Sequence, residues 1–128
     1  MKILITGGTT FVSRYAAEHF VSKGEEVFVL NRPQSQGVHL INCDRLNLGN
    51  KFANEHFDLI LDITAYTDEH IKALLKSGIS FDDYIFISSS AVYPETNPQP
   101  FAENQTCGKN SVWGDYGINK LNAEKYLL

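Results

Sequence analysis

The sequence is short of several things at once. It has two cysteines, four prolines, one methionine and one tryptophan in 128 residues. Cys43 and Cys107 lie far apart and fit no metal or redox spacing, which excludes a disulfide scaffold and points to a reduced, cytoplasmic setting. Positive charge is also scarce, with eleven Lys plus Arg against fifteen Asp plus Glu and a net charge of −4. That balance speaks against a surface that holds nucleic acid by neutralising phosphates, and leaves room for a local site that takes one small anionic ligand. Long apolar runs are missing too. The first, Ile3-Leu4-Ile5, stops at Thr6-Gly7 and is too short for a signal peptide or a membrane span. The four histidines, His19, His39, His56 and His70, are scattered without ligand spacing, so no metal is expected. There is no internal repeat and no linker.

Against these absences, 43% of the residues are hydrophobic, enough for one domain with a real core. Ile3-Leu4-Ile5 reads as a strand buried on both faces of a parallel sheet. It ends at Thr6-Gly7-Gly8-Thr9-Thr10, where two glycines permit a tight turn. From Phe11 the apolar spacing becomes helical through Val12, Tyr15, Ala16, His19 and Phe20, predicting a helix over about 10–23 with Gly24 as its stop. Strand, glycine turn and helix together set unpaired backbone N–H groups and a positive helix end against a phosphate.

Further strands are expected at Val27–Leu30, Val38–Cys43, Phe57–Ile63 and Tyr84–Ser88. A weak helix is expected over about 48–56, a short helix capped by Asp68 and stopped by Gly78, and a last helix from Asp115 to Leu128. Alternating strands and helices imply an α/β fold, a doubly wound parallel sheet of five strands in the order 3-2-1-4-5. Ligands of such sheets sit beyond the carboxyl ends of the strands. Those ends are Gly7–Ser13, Asn31-Arg32, Asp44-Arg45, Thr64–Tyr66 and Ser88–Ser90. The polar loop Ala91–Gly114 is long enough to suggest a role of its own. Within it Tyr93, Phe101 and Trp113 either pack the loop or line a pocket.

Where NAD sites often place a carboxylate at the end of the second strand, this chain has Asn31 and then Arg32. An arginine there can fork onto a 2′-phosphate and favours NADP over NAD, although it is equally at home in a surface turn. Asp44 can accept from an adenine amino group and Arg45 can lie along the ring, or the pair can simply make a turn. Tyr116 and Lys120, four apart, share one helix face. An ammonium beside a phenol favours the phenolate and suits the tyrosine to proton transfer with an alcohol or carbonyl. A hydroxyl from Ser88-Ser89-Ser90 can bind the same substrate oxygen.

With these residues the chain resembles the short-chain dehydrogenase/reductase superfamily, in its extended or atypical branch, the NAD(P)-dependent epimerase/dehydratase family. Thr6–Ser13 looks like that branch's T-G-x-x-G-x-x-G loop, Ser88–Tyr93 like its S-S-x-x-V-Y segment, and Tyr116–Lys120 like its Y-x-x-x-K motif. The resemblance implies a catalytic trio of Ser89, Tyr116 and Lys120, with Lys120 also holding the nicotinamide ribose. It implies cofactor contacts from Gly7, Gly8, Thr9, Thr10, Phe11, Val12, Asn31, Arg32, Asp44, Arg45, Ala65 and Tyr66. The expected ligands are NAD or NADP and a small-molecule substrate such as a nucleotide-sugar, with no membrane, no nucleic acid and, as an open question, a homodimer.

Two departures qualify it. Thr10 and Ser13 stand where the branch has glycines, and Thr10 puts a β-branched side chain where the backbone should approach a pyrophosphate. Family members also continue past the Tyr/Lys helix into a substrate domain, so residues 1–128 read as the N-terminal Rossmann part of a longer enzyme, inactive alone. The Asn31-Arg32 turn and Ile63–Tyr66 look most like the subgroup of the chloroplast stem-loop-binding proteins. This keeps alive a second reading, a non-catalytic dinucleotide-binding regulator or RNA-associated relative.

Overall fold

A computed structural model describes residues 1–7, 11–31 and 36–128, with only the backbone of Asn31. Its elements in chain order are strand β1 (Lys2–Gly7), helix α1 (Phe11–Ser22), β2 (Glu26–Asn31), β3 (His39–Ile41), β4 (His56–Asp62), α2 (Asp68–Leu75), β5 (Ser80–Phe86), a 3₁₀ turn (Ser90–Val92) and α3 (Asp115–Leu127). All strand pairings are parallel and the sheet order is β3-β2-β1-β4-β5, as the alternation of elements predicts.

The apolar run in β1 is buried because both faces of the central strand are covered. Ile3 and Ile5 point to one side, into a cluster with Ala17, Val27 and Val29 against which Phe20 and Val21 of α1 pack. Leu4 points to the other, into a cluster with Leu30, Phe52, Phe57, Ile60 and Leu74. Each of the three is fully buried, and burying such a side chain stabilises by about 1.5–3 kcal/mol.

Four expectations about elements are corrected. The segment at 48–56 is a series of turns: Gly49 and Asn54 take φ of +57° and +63°, which a right-handed helix cannot include, yet Leu48 and Phe52 still reach the core. Helix α2 is capped by Thr67, not Asp68. The Thr67 hydroxyl accepts from the His70 N–H, while the His70 ring accepts from the Thr67 N–H at 3.3 Å, a reciprocal cap with histidine in the place of glutamate. Strand β5 begins four residues early, at Ser80, because an edge strand leaves Asp82 and Asp83 exposed to water. Strand β3 shrinks to His39–Ile41, the part that finds partners on β2.

At the carboxyl end of β4 lies a fully buried carboxylate, Asp62. Arg45 donates to both of its oxygens, Nη1 to Oδ1 at 2.8 Å and Nη2 to Oδ2 at 2.5 Å. The Thr6 hydroxyl donates to Oδ1 at 2.9 Å, the Ala65 N–H to Oδ1 at 3.2 Å, and the Tyr84 hydroxyl to Oδ2. Thr6 Oγ1 in turn accepts the N–H groups of Ile63 (2.9 Å) and Thr64 (3.1 Å). Arg45 also donates to the His70 carbonyl. One ion thus joins β1, β4, β5, the turn after β3 and the start of α2. Burial by itself pushes the Asp62 carboxyl up, but the Arg45 hydrogen bonds and charge, helped by Tyr84 and Thr6, outweigh it and hold the group below the usual carboxylate range. The same burial, with the Asp62 charge beside it, pushes the Tyr84 phenol up, so it stays a donor.

A pH prediction follows with a definite sign. A carboxyl whose folded pKa is depressed contributes stability above its unfolded value near 4, and this is lost as pH falls toward the folded value. Urea unfolding of wild type should therefore weaken on acidification below about pH 4. Arg45→Met should cost about 3–5 kcal/mol near neutrality, because it leaves a buried charge unpaired. A loss under about 1 kcal/mol would show that Asp62 needs no partner.

Candidate functional site

Three segments meet beyond the carboxyl ends of β4 and β5. The first is Ile63–Tyr66, bent over Asp62 by the Thr6 and Asp62 hydrogen bonds. The second is the serine run after β5. The third is the first half of α3. Lys120 ties them together: its ammonium donates to the Ala65 carbonyl at 2.9 Å and to the Ile87 carbonyl at 2.7 Å. It lies 4.5 Å from the centre of the Phe86 ring and 5.8 Å from that of Tyr66. The residue is only 2% exposed. Burial lowers the lysine pKa, with Asp62 opposing and Arg45 adding to the fall.

The approach of α3 is set by Gly117. A Cβ built there would lie 2.2 Å from the Ala91 carbonyl oxygen, so only glycine lets the helix rest on the 3₁₀ turn. That close contact places the Tyr116–Lys120 turn of α3 against the serine segment. Ser89 caps the 3₁₀ turn, its hydroxyl accepting the Ala91 N–H at 3.1 Å, which leaves its own proton to donate. Tyr116 is 39% exposed, with its ring 6.3 Å from Tyr66 on one side and 6.3 Å from Trp113 on the other. Three open aromatic rings therefore neighbour one another in a row, and one of them, Tyr66, lies over the buried ammonium.

The other expected site residues divide. Gly7, with φ of +100°, ends β1, and a Cβ there would meet Thr64 at 2.8 Å and Ser13 at 3.0 Å. Ser13 is buried at that contact, as its small size allows. Phe11 and Val12, at the start of α1, are 91% and 51% exposed. Asn31 pairs with Gly7 across the ends of β1 and β2. Gly8, Thr9, Thr10 and Arg32 lie outside the described residues, as does the Asn31 side chain. Asp44 is exposed and makes a local turn, its Oδ1 accepting the Leu46 N–H at 2.9 Å. Tyr66 is half exposed beside Tyr116.

Two expectations need correction. Arg45 does not lie open to a ring; it is buried against Asp62, because a guanidinium is the one side chain that can fork onto that carboxylate. Ala65 offers no open surface either: its side chain is buried with Ile71 and Ala123, and its peptide is spent on Asp62 and Lys120. Asp62 and Tyr84 carry no site role in the sequence reading, and Ser88 appears there only as one of three serines. Asp62 carried a signal, a charge inside an otherwise apolar parallel strand. The Ser88 hydroxyl is buried and has no hydrogen-bond partner among the described residues, and nothing in the sequence marks it out from its neighbours.

Comparison with known proteins fits this architecture. No family model matches the chain. Among curated proteins it is similar to the chloroplast stem-loop binding protein of 41 kDa b of Arabidopsis thaliana, 25% identical over 132 residues, covering 86% of this chain and 35% of that protein. Among solved structures, a UDP-glucose 4-epimerase superposes with a TM-score of 0.81 at 22% identity over 98% of this chain and 46% of its own. A short-chain dehydrogenase/reductase superfamily protein from Agrobacterium tumefaciens with bound NAD gives 0.75 at 22% identity, over 98% and 43%. The chain shares their fold. It spans about a third of the curated relative and about half of each solved chain.

Gly117→Ala tests the geometry on which the site depends. Its methyl would have to displace the Ala91 carbonyl, costing about 1–3 kcal/mol by overpacking, and would lift α3 and Lys120 from their seats. The measurement is urea unfolding together with the emission of Trp113. Wild-type stability and an unchanged spectrum would mean that α3 does not need this contact.

Proposed function

We propose that this chain is the cofactor-binding and catalytic-motif part of an NAD(P)-dependent nucleotide-sugar epimerase, dehydratase or reductase of the short-chain dehydrogenase/reductase superfamily. The observation that carries the reading is Lys120, a buried ammonium on two carbonyls, one helical turn from a half-open tyrosine and against a serine segment. The residues present fit a nicotinamide dinucleotide. Among the described residues two of the three ammonium N–H groups are taken, which leaves one for a ribose hydroxyl. The buried Ser88 hydroxyl has no hydrogen-bond partner among the described residues, and the first turn of α1 is open apolar surface.

The nicotinamide, when bound, supplies hydride acceptance and return. The chain's own residues do the proton work. Tyr116 exchanges a proton with a substrate hydroxyl, and the Ser89 hydroxyl, already polarised by the Ala91 N–H, donates to the same oxygen. Lys120 holds the ribose side of the site. Arg32, the residue after Asn31 in the sequence, favours NADP through a bidentate contact with a 2′-phosphate.

A specific observation supports one competing reading. The curated relative is named as a stem-loop binding protein, and Thr10 and Ser13 replace two glycines of the phosphate loop. A non-catalytic dinucleotide-binding or RNA-associated protein is the result.

Titration with NADH and NADPH, followed by Trp113 emission, should show binding that Lys120→Ala weakens at least tenfold. NADPH should bind more tightly, and Arg32→Ala should erase the difference. In the protein carrying its downstream residues, Tyr116→Phe should retain cofactor and lose about 10²–10⁴-fold in hydride exchange with UDP-sugars. Cofactor binding with no exchange in wild type would favour the regulatory reading, and no binding at all would end the enzyme reading.

A further inference from the structure

Asp62 fixes the loop after β4 only as far as the Ala65 N–H. Beyond that point the chain turns into α2, and its next two backbone donors, the N–H groups of Tyr66 and Thr67, converge on one atom. That atom is Nδ1 of His70, at 3.1 Å and 3.3 Å. Among the described residues neither donor has another acceptor. The His70 ring also meets the Tyr66 ring edge-on, with centroids 6.2 Å apart, and Tyr66 in turn neighbours Tyr116.

An acceptor three residues after a threonine cap is expected, but it is usually the side-chain oxygen of Glu or Gln. A histidine nitrogen accepts only while it carries no proton, whereas the imidazolium has an N–H on both ring nitrogens. Two backbone N–H groups aimed at Nδ1 therefore require the neutral ring, with its proton on Nε2. Protonation sets a third donor against those two. The ring is half-buried, so it can then turn out to water and leave the Tyr66 and Thr67 N–H groups without it.

Charged groups approach the ring from several elements. Burial, then the Arg45 charge from the turn after β3, lowers its pKa, while Asp62 of β4 and Asp44 oppose the fall. On α2 itself Asp68 and Glu69 are engaged with Lys72. From α3 the Lys120 ammonium is held on the Ala65 and Ile87 carbonyls. The ring is thus neutral at pH 7, with a folded pKa below the usual histidine value of about 6.5. As pH falls below that value the unfolded chain takes up the proton first. The contact weakens from there downward and opens as pH passes the folded value.

We propose that His70 is a positioning residue that latches the Tyr66 loop beside the candidate site while its ring is neutral and releases it on protonation. With the latch closed, Tyr66 stands against Tyr116, and the Ala65 carbonyl beside it seats Lys120. With it open, the Tyr66 ring loses its edge contact and the Tyr66 peptide is free to turn, one residue from that carbonyl. The consequence for ligand binding rests on the proposed cofactor site; the latch itself belongs to the loop. Asp62 is a separate titration, expressed below about pH 4.

The unliganded chain supplies the first test. In amide NMR spectra taken from about pH 7.5 down to about pH 4.5, the Tyr66 and Thr67 signals should move with the midpoint of the His70 ring C–H signals. Their protection from exchange should fall at least tenfold across the same step. His70→Gln should hold both amides over the whole range, because an amide oxygen accepts at every pH. His70→Phe should leave them unprotected already at pH 7. The second test reads the site with NAD⁺, which has no 2′-phosphate to titrate. Wild type should bind it at least fivefold more weakly once His70 is protonated, and His70→Gln should bind it equally at both pH values. Amides that do not follow His70, or that titrate unchanged in His70→Gln, overturn the latch whatever the binding result. Amides that follow His70 with NAD⁺ affinity independent of pH overturn its positioning role. No NAD⁺ binding at any pH counts against the proposed cofactor site, and the amide titration still decides the latch.

Discussion

The Asp62 carboxylate is the interaction on which the rest of this structure depends. A charge with no exposure is tolerable only when every lone pair is occupied. Here that requirement recruits Arg45 from the turn after β3, Thr6 from β1, Tyr84 from β5 and the Ala65 N–H from its own loop. Arg45, Thr6 and the Ala65 peptide are each bonded onward. Arg45 reaches the His70 carbonyl, and the His70 ring accepts the Tyr66 and Thr67 N–H groups at 3.1 and 3.3 Å. Burial, then the charge of Arg45, lowers the His70 pKa and keeps that ring neutral and able to accept. The loop after β4 is therefore rigid because a buried ion at its foot leaves it no alternative bonding.

That rigidity is what gives Lys120 a seat. The Ala65 peptide has its N–H on Asp62 and its carbonyl under the Lys120 ammonium, so the network and the candidate site are two ends of one chain of hydrogen bonds. Gly117 completes the arrangement from the other side by letting α3 touch the backbone of the 3₁₀ turn. The two ends of the sheet then differ in chemistry. The carboxyl ends of the strands gather a buried cation and open aromatic rings. The amino ends gather carboxylates and a histidine.

How much of this was legible follows from what each signal depends on. The sheet order was readable because buried parallel strands are apolar on both faces and the helices between them are not. Tyr116 and Lys120 were readable because four residues on a helix is a local relation. Arg45 was misjudged, since a turn arginine at a strand end looks the same whether it meets solvent, a ligand or a buried carboxylate. The segment at 48–56 was misjudged because its apolar spacing suits a helix while Gly49 and Asn54 take positive φ.

By itself, then, the sequence determined the periodicities: which segments are strands or helices, where the glycines turn the chain, and which side chains share a helix face. These depend on neighbours a few residues away, and such information lies in the order of the residues. Only the tertiary structure decided that Arg45 belongs to Asp62, that Lys120 rests on Ala65 and Ile87, and that Asp82 stands beside Asp58. Each of these pairs residues brought together by strand register or a crossover, seventeen to fifty-five positions apart in the chain. Distance along the chain carries no trace of them, because the contact exists only once the sheet has closed its register.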